Sequence, residues 1–136
     1  MNTFHLTIVT SDGCKFDGEA ESVKVTTTEG GVQILANHMD YVTTLGMGPA
    51  SIGLDGEQKQ AACIGGMLSV TNKVVRLIAT TFEWAEDIDV ERAQAALDRA
   101  EKALENADIS PADKALYIAA KQRAMVRLSC ADAKKN

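Results

Sequence analysis

The stretch AEDIDVERA, residues 85–93, separates two kinds of sequence in this chain of 136 residues. Before it, apolar residues recur at every second position and glycines are frequent, whereas after it Ala, Glu, Arg and Leu predominate. The first pattern is typical of β-strands with one buried face, and the second is typical of amphipathic helices. The stretch therefore marks a boundary between two predicted domains, residues 1–84 and residues 88–136.

The first segment has the repeating pattern of an all-β domain. In runs such as FHLTI, residues 4–8, apolar and polar side chains alternate, so each strand has one buried face. Six residue pairs between the runs predict turns, and Asp-Gly pairs favour type I′ hairpins, whose two central residues have positive φ. These pairs are Asp12-Gly13, Asp17-Gly18, Gly30-Gly31, Gly48-Pro49, Asp55-Gly56 and Gly65-Gly66. Many short strands joined by such turns predict an antiparallel β-sandwich or barrel.

The second segment predicts an antiparallel α-helical hairpin. ENADISPAD, residues 105–113, separates the two helices, with Ser110 as the N-cap and Pro111 in the first helical position. The apolar stripes are thin, so we expect the hairpin to depend on the sandwich, a ligand or another subunit for stability. The residues predicted on these stripes are Ala93, Leu97, Ala100 and Leu104, then Ala112, Leu116, Ala119 and Val126.

Composition and charge exclude several classes of protein. The net charge of −5 argues against a nucleic-acid-binding protein, which needs a basic surface. Three cysteines without CxxC spacing, Cys14, Cys63 and Cys130, argue against a disulfide framework. No apolar run approaches the roughly 18 residues of a membrane span, and no signal peptide is recognisable. We therefore expect an intracellular protein that reaches a membrane only through a partner.

Four stretches together resemble the epsilon subunits of bacterial and chloroplast F-type ATP synthases. FHLTIVTSDGCKFDGEAESVKV, residues 4–25, is similar to the first strands of that family, and TEGGVQILANHMD, residues 28–40, to its loop with a Gly, an Ile-Leu pair and a His. IGGMLSVTNKVVRLIA, residues 64–79, resembles its Gly-Gly hairpin and last strands, and AEDIDVERA its junction into the helices. The resemblance covers nearly the whole chain and implies a β-sandwich followed by the helical hairpin.

The resemblance also implies a function and a set of partners. It implies a rotor subunit of the central stalk, not an enzyme, that helps to couple proton flow to rotation. The implied partners are the gamma subunit, the c-ring of the membrane sector and, when the helices are extended, the alpha and beta subunits. Extended helices are expected to inhibit ATP hydrolysis. The implied location is peripheral, at the cytoplasmic face of the cell membrane.

Arginines in both helices predict a regulatory ATP site on the folded hairpin. Arg99 lies seven residues after Arg92, and antiparallel packing is expected to bring Arg99 near Arg123 and Arg127. Guanidinium groups suit phosphate oxygens because they form bidentate hydrogen bonds. The motifs IDVERA, residues 88–93, and RAMVRLS, residues 123–129, resemble those of ATP-binding epsilon subunits from some bacteria.

The residues before and within the first helical turn have two interpretations. In the first, Asp89 accepts a hydrogen bond from an adenine amino group, while Ile88 and Ala93 cover the base. In the second, Asp89 is simply the helix N-cap and Arg92 is a surface partner. The sequence requires no metal at this site, because the two arginine-rich segments provide few metal ligands, and it leaves open whether Mg²⁺ accompanies the nucleotide.

By resemblance, a second group of residues is expected to contact the c-ring. In the family, prolines usually stand near the loop histidine, whereas this chain has Ala36 and Asp40 at those places, which implies a less rigid loop. The expected contact residues are Glu29, Gly31, His38 and Met39.

Other classes of function remain open from the residues alone. A stand-alone nucleotide-sensing module would bind ATP without a stable gamma partner, and an unrelated small-ligand sandwich would bind neither. A nucleophilic pair of Cys63 or Cys14 with His38 is formally possible, but nothing in the sequence orients the base.

Overall fold

The computed structural model describes residues 2–135 and, among these, the side chains of residues 2–131. Met1 and Asn136, at the outer ends of the two predicted domains, lie outside the described residues. The chain divides after Trp84 into two compact units. We name them the sandwich unit, which ends at Trp84, and the hairpin unit, which begins at Ala85.

The sandwich unit contains eight β-strands. Their order of hydrogen bonding is β2-β1-β8-β7-β6-β3-β4, and β5 pairs with β7. All pairs are antiparallel except β1–β8, which is parallel, so the predicted sandwich class is confirmed but its strands are not wholly antiparallel. The parallel pair is possible because β1 and β8 are far apart in sequence and need no tight turn. The bounds are β1 Phe4–Thr10, β2 Gly13–Ala20, β3 Ser22–Thr27, β4 Gly30–Leu35, β5 Tyr41–Thr44, β6 Met47–Leu54, β7 Glu57–Thr71 and β8 Val74–Trp84.

Strand β7 changes partner at a pair of glycines. Its first half pairs with β6 and its second half pairs with β5. Gly65 and Gly66 lie at this change with φ of 69° and 114°, and a Cβ on Gly66 would overlap the carbonyl oxygen of Ile78. Only glycine adopts such a conformation without strain. The predicted turn at Gly65-Gly66 is therefore wrong, because the pair bends a continuous strand.

The other glycine pairs have mixed outcomes. Asp55 and Gly56 join β6 to β7 with φ of 50° and 81°, so the predicted positive-φ hairpin turn is confirmed there. The turns predicted at Asp17-Gly18 and Gly48-Pro49 are wrong, because these pairs lie inside β2 and β6. Gly48 is needed for close packing instead, since a Cβ at that position would overlap the side chain of Thr26.

One turn has no glycine at all. Asn72 and Lys73 join β7 to β8, and both have positive φ, 51° and 66°. Asn tolerates this left-handed conformation better than most residues, but a lysine is not a signal for it. Sequence analysis therefore missed this turn.

The sandwich core is aliphatic and follows the predicted alternation. In β1, Leu6 and Ile8 are buried while His5 between the strand's apolar residues is exposed. Equivalent inward positions on the other strands supply Val, Ile, Leu and one large aromatic ring, Phe82. Burying each large aliphatic side chain contributes about 1.5–3 kcal/mol, so this core is the main source of stability in the unit.

The hairpin unit contains a short 3-10 helix, Ala85–Asp87, and two helices, α1 Val90–Leu104 and α2 Pro111–Lys135. α1 and α2 contact each other and are joined by residues 105–110, as expected for an antiparallel hairpin. The Asp89 side chain accepts a hydrogen bond of 3.0 Å from the Arg92 amide, and the Ser110 hydroxyl accepts one of 3.1 Å from the Asp113 amide. Both predicted N-caps are therefore confirmed.

The buried faces of the helices are lined by small residues. In α1, Ala93 and Ala100 are buried, as predicted, whereas Leu97 and Leu104 are only half-buried. In α2 the predicted stripe is wrong, because Ala112 and Leu116 are exposed and Ala119 and Val126 only half-buried. Leu116 lies about 80° around the helix from Ala124, which is buried. Among the α2 side chains that the structure describes, residues 111–131, the buried ones are Ala124, Cys130 and Ala131.

Candidate functional site

The predicted nucleotide residues all lie in the hairpin unit. They are found around the first turn of α1, in the second half of α1 at Arg99, and in α2 at Arg123 and Arg127. Asp89, Arg92 and Arg99 are exposed, and Arg123 is half-buried. Arg127 is half-buried and already engaged with another residue. The apolar members, Ile88 and Ala93, are both buried.

The level of each arginine along the hairpin follows from helix geometry. Arg99 lines a surface groove together with Tyr117 of α2. Arg123 lies six residues beyond Tyr117, about 9 Å further along the axis at about 1.5 Å per residue. Because the helices are antiparallel, Arg92, seven residues before Arg99, lies closer to the level of Arg123 than Arg99 does. Helix geometry therefore places Arg92 near the level of Arg123. Arg127 lies about 6 Å further from the hairpin loop, and Arg99 lies nearer to the loop.

Asp89 has the capping role that was one of its two interpretations. One carboxylate oxygen accepts the Arg92 amide at 3.0 Å, and the backbone angles of Asp89 are extended, as expected for an N-cap. An ionised carboxylate offers about four lone-pair positions on two oxygens, so capping leaves acceptor capacity for a further donor. The capping role and the ligand role of Asp89 are compatible.

The groove around Arg99 has mixed charge. It has a volume of about 610 Å³ and contains two cationic and two carboxylate side chains. This balance is less favourable for a triphosphate than a group of arginines alone, because like charges near the phosphates repel them. The polar lining residues are Arg99, Lys102, Asn106, Asp108, Ser110, Asp113 and Tyr117.

The predicted c-ring residues lie in the sandwich unit, at two places. Glu29 is exposed in the turn between β3 and β4, and Gly31 is exposed near the start of β4. The Thr27 hydroxyl organises this turn, because it donates to the Gly30 carbonyl at 2.7 Å and accepts from the Glu29 amide at 3.1 Å. The turn presents the Glu29 carboxylate beside two glycines that leave the backbone accessible.

The second place is the loop after β4, residues 36–40. Asn37 has φ of 68°, and the His38 amide donates to the Leu35 carbonyl at 3.2 Å. The His38 ring nitrogen Nδ1 donates to the Met39 carbonyl at 2.7 Å, and the ring lies 5.8 Å from that of Tyr41. Met39 itself is 78% exposed. The loop therefore fixes the histidine and leaves a long apolar side chain in solvent.

The two places are not close together. β4, Gly30–Leu35, separates the turn from the loop, and a strand of this length spans about 20 Å. Both places border β4, which is the last strand in the order of the sheet. A single partner surface contacts Glu29 and His38 together only if it follows the whole length of this strand.

Sequence analysis missed an exposed apolar row on the sheet. Met67 and Ile78 are directly opposite each other on β7 and β8, and they are 42% and 45% exposed. Val9 of β1 pairs with Ile78, and Val42 of the neighbouring β5 is 62% exposed. Directly paired residues point to the same face of a sheet, so Val9, Ile78 and Met67 form one row. Val42 pairs with Ser69, which is two residues after Met67, so Val42 lies on the same face but outside this row. The signal was present in the sequence as the adjacent apolar pairs Met67-Leu68 and Leu77-Ile78, which interrupt the alternation.

Two family models match this chain end to end. Residues 3–85 match the β-sandwich domain of the ATP synthase delta/epsilon chain, and residues 86–132 match its long alpha-helix domain. The chain belongs to the ATP synthase delta/epsilon chain family. The boundary between the two matched domains lies one residue from the division between the sandwich and hairpin units.

Curated relatives support this membership along almost the whole sequence. The ATP synthase epsilon chain of Caldicellulosiruptor bescii is 36% identical over 135 residues, covering 99% of this chain and 98% of the relative. The ATP synthase epsilon chain of Bacillus velezensis is 39% identical over 135 residues, covering 96% and 98%. This chain is thus similar to both relatives along its sandwich domain and its helical domain.

Solved structures of low identity share the fold of this delta/epsilon-family chain. A chain in the mitochondrial ATP synthase of Euglena gracilis has a TM-score of 0.69 at 21% identity, with 98% of this chain and 79% of that chain covered. A chain in the central stalk and c-ring of the Tetrahymena thermophila mitochondrial ATP synthase has a TM-score of 0.63 at 15% identity, with 93% and 95% covered.

The cysteines and histidines of this delta/epsilon-family chain are not arranged as a nucleophilic or metal site. Burial raises the pKa of Cys63 to about 12, so its thiol is protonated at neutral pH. The side chain of His38 is engaged with the Met39 carbonyl. Among the side chains of residues 2–131, no group of three His, Cys, Asp or Glu residues could hold a metal ion. No helix in the described part of the chain is long and apolar enough to span a membrane.

Proposed function

We propose that this chain is a non-catalytic rotor subunit in the central stalk of a proton-translocating F-type ATP synthase. In this role it helps to couple rotation of the c-ring to the catalytic head. The observation that carries the proposal is the match to curated ATP synthase epsilon chains over both domains, with 99% of this chain covered in the Caldicellulosiruptor bescii relative. The chain would lie peripherally at the cytoplasmic face of the cell membrane, held there by the complex.

The exposed apolar row supports a stable protein partner for the sandwich unit. Val42, Met67 and Ile78 present large apolar side chains on one face of the sheet. Exposed apolar side chains that are grouped on one face often indicate a protein-binding site, whereas scattered single ones do not. We assign this face to the gamma subunit, because the c-ring is assigned to the residues that border β4.

The residues bordering β4 are proposed to contact the c-ring. Glu29 and Gly31 lie at one end of the strand, and His38 and Met39 lie beyond the other. Because the two places are about 20 Å apart, the contact has two separable parts. Glu29→Lys and His38→Ala, made separately and together, test them. If membrane assembly and proton-driven ATP synthesis survive the double change, the assignment is wrong.

The hairpin unit is proposed to inhibit ATP hydrolysis when its helices extend between the alpha and beta subunits. Its two helices bury mainly alanines against each other, so little apolar area is lost when they separate. Leu116, Ile118 and Met125 are exposed on α2 and offer apolar contacts for a new partner. Because the interface between α1 and α2 is small and α2 exposes apolar side chains, the hairpin can exchange between the folded and the extended arrangement.

The folded hairpin is proposed to bind ATP as a regulatory ligand. Arg92, Arg123 and Arg127 would contact the phosphates, with Arg99 extending the site toward the hairpin loop. Ile88 and Ala93 are buried in the described arrangement, so they would contact the base only where its binding uncovers them. Asp89 is exposed and would use its remaining acceptor capacity for the adenine amino group. The support is the similar level of Arg92 and Arg123 on two antiparallel helices, with Arg127 about one turn beyond Arg123, which suits charge-assisted hydrogen bonds to phosphate.

Calorimetric titration of the purified chain with ATP tests the nucleotide site. We expect measurable binding in the unchanged chain and loss of binding in the double variant Arg92→Ala with Arg123→Ala. Lys114→Ala is the matched control, because it removes an exposed cation from α2 outside the proposed site. Absence of heat with ATP, or equal binding in the double variant, would contradict the site. Arg99→Ala alone, and Arg99→Ala with Arg123→Ala compared with Arg123→Ala alone, test whether Arg99 also belongs to it.

Co-purification with the gamma subunit tests the rotor role independently of ATP. A rotor subunit forms a stable complex with gamma, and the complex retains this chain on isolated c-rings. A stand-alone nucleotide-sensing module would bind ATP but not gamma. The substitution Met67→Lys together with Ile78→Lys should abolish the gamma complex, while Lys15→Glu on the edge strand β2 should leave it intact.

A further inference from the structure

One side-chain hydrogen bond connects the loop 36–40 to a distant turn. Oδ1 of Asp40 accepts a hydrogen bond from the Asn72 amide at 3.0 Å. The two residues are separated by 32 positions in sequence, and both are exposed. The bond therefore adds a direct side-chain restraint between two loops at the end of the sheet.

The geometry of the turn explains why its amide is available. Asn72 and Lys73 are the two central residues of the β7–β8 hairpin, and both have left-handed backbone angles. In a two-residue hairpin the ladder is closed by the flanking residues, here Thr71 and Val74, which are directly paired. The Asn72 amide thus points away from the ladder, and the Asp40 carboxylate supplies its acceptor.

The sheet brings the two loops together before the bond forms. Tyr41, the first residue of β5, lies directly opposite Val70 of β7. Asp40 immediately precedes Tyr41, and Asn72 follows Val70 by two residues, so the bond closes the end of this strand pair. The neighbours of the bonded residues, Met39 on one side and Lys73 on the other, are both exposed.

We propose that Asp40 is the positioning residue of this contact surface, and that it makes Lys73 part of the surface that includes Met39. The loop is restrained by the hydrogen bond from the Asn72 amide to Asp40 Oδ1. Met39 and Lys73 are the exposed chain neighbours of the bonded residues, so the partner proposed for this loop, the c-ring, would present an apolar pocket and a carboxylate to them. The inference rests on the proposed function, because it deepens the assignment of His38 and Met39 to a rotor contact.

The test measures the affinity of the full-length chain for a detergent-solubilised complex of the gamma subunit and the c-ring. Asp40→Ala removes the acceptor and should weaken binding roughly three- to tenfold, as expected for loss of one restraining hydrogen bond. Asp40→Asn keeps an oxygen acceptor and should bind within about twofold of the unchanged chain. Lys73→Glu should weaken binding, whereas Lys15→Glu, a matched exposed lysine on β2, should not.

A second readout separates positioning from simple stabilisation. Hydrogen exchange at the Asn72 amide should be faster in Asp40→Ala than in Asp40→Asn, because only the first variant lacks the acceptor. If Asp40→Ala lowers the melting temperature but leaves the affinity unchanged, Asp40 is only a structural residue and the inference is overturned. The same conclusion follows if Asn72 exchange is equal in both variants.

Two further variants distinguish failure of this inference from failure of the proposed function. If Met39→Ala and His38→Ala weaken binding while Asp40→Ala and Lys73→Glu do not, the contact stands and the inference fails. If none of the four changes alters the affinity, the loop is not a contact and that part of the proposed function fails with it. If the unchanged chain does not bind the complex, the rotor role itself is contradicted.

Discussion

Gly66 lies so close to Ile78 that a Cβ on residue 66 would overlap the Ile78 carbonyl oxygen. Its φ of 114° is also strained for any residue with a side chain. Gly66→Ala should therefore lower the free energy of unfolding of the sandwich by about 3 kcal/mol or more, since neither the backbone nor the carbonyl can move without breaking the β7–β8 pairing. Urea unfolding followed by far-UV circular dichroism measures this change.

Gly31→Ala is the matched control for that substitution. Gly31 lies in β4 with no atom near the position of an added Cβ and no positive φ. Its replacement should change the free energy of unfolding by no more than about 0.5 kcal/mol. Equal stability of the two variants would show that the strand does not bend at Gly65-Gly66 as described.

The capping bond of Asp89 predicts a local effect at the start of α1. Asp89→Ala leaves the Arg92 amide without its acceptor and should destabilise the helix by about 1 kcal/mol. Asp89→Asn retains a capping oxygen and should be close to the unchanged chain. Hydrogen exchange at the Arg92 amide checks this directly, and unchanged exchange in Asp89→Ala would rule out the cap.

The left-handed Lys73 predicts a stabilising substitution. A lysine at φ of 66° is strained, whereas Asn-Gly is the preferred pair for a turn with two positive φ values. Lys73→Gly should raise the free energy of unfolding by about 0.5 kcal/mol, after allowance for the greater freedom of glycine in the unfolded chain. Lys24→Gly in the middle of β3 should have the opposite sign, and a loss of stability in both variants would contradict the assigned turn.

The buried thiol of Cys63 predicts a loss of stability at high pH. Burial raises its pKa from 9.0 to about 12, so between these values the unfolded chain releases a proton that the folded chain retains. The associated stability is fully present below pH 9 and is lost as the pH rises toward 12. Between pH 8 and pH 10 the unchanged chain should lose about 1.4 kcal/mol more than Cys63→Ala.

Urea unfolding at the two pH values measures this difference. Comparison with Cys63→Ala cancels the titration of lysines and tyrosines, and the cavity left by the substitution is the same at both pH values. Cys14→Ala, which removes an exposed thiol, should resemble the unchanged chain. If Cys63→Ala and the unchanged chain lose stability equally, Cys63 does not retain its proton as the fold implies.

The strands and helices were predictable because they depend on the spacing at which apolar residues recur along the sequence. Alternation in β1 predicts Leu6 and Ile8 in the core, and the loss of that period after Trp84 predicts the helices. Capping residues predict helix starts for a similar reason, since Asp89 and Ser110 act through bonds within three residues. Each of these features is set by the local sequence.

Features that depend on long-range packing were not predictable in the same way. Gly48 and Gly66 are required by close contacts with Thr26 and Ile78, so a rule that treats glycine pairs as turns fails at both. In α2, four apolar positions at helical spacing were expected to face the core, but the close approach of the helices selects alanines and leaves Leu116 exposed. The contact partner, not the spacing, decides which face is buried.

The candidate sites show the same limit. Arg92, Arg123 and Arg127 were identified from the sequence, but the similar level of Arg92 and Arg123 follows only from the antiparallel packing of the helices. Likewise, the family resemblance implied that Glu29 and His38 contact one partner, whereas β4 separates them. Asp40 had no visible role in the sequence, because its acceptor function depends on a turn 32 residues away.

The most direct test of the central claim is the rate of ATP hydrolysis by an assembled head of alpha, beta and gamma subunits. The rate is measured with the full chain and with a chain that ends after Trp84, and gamma binding is verified for both. The account predicts that both chains bind gamma, that the full chain suppresses hydrolysis, and that removal of the helices releases it. Equal hydrolysis with the two chains would contradict a regulatory role for the hairpin.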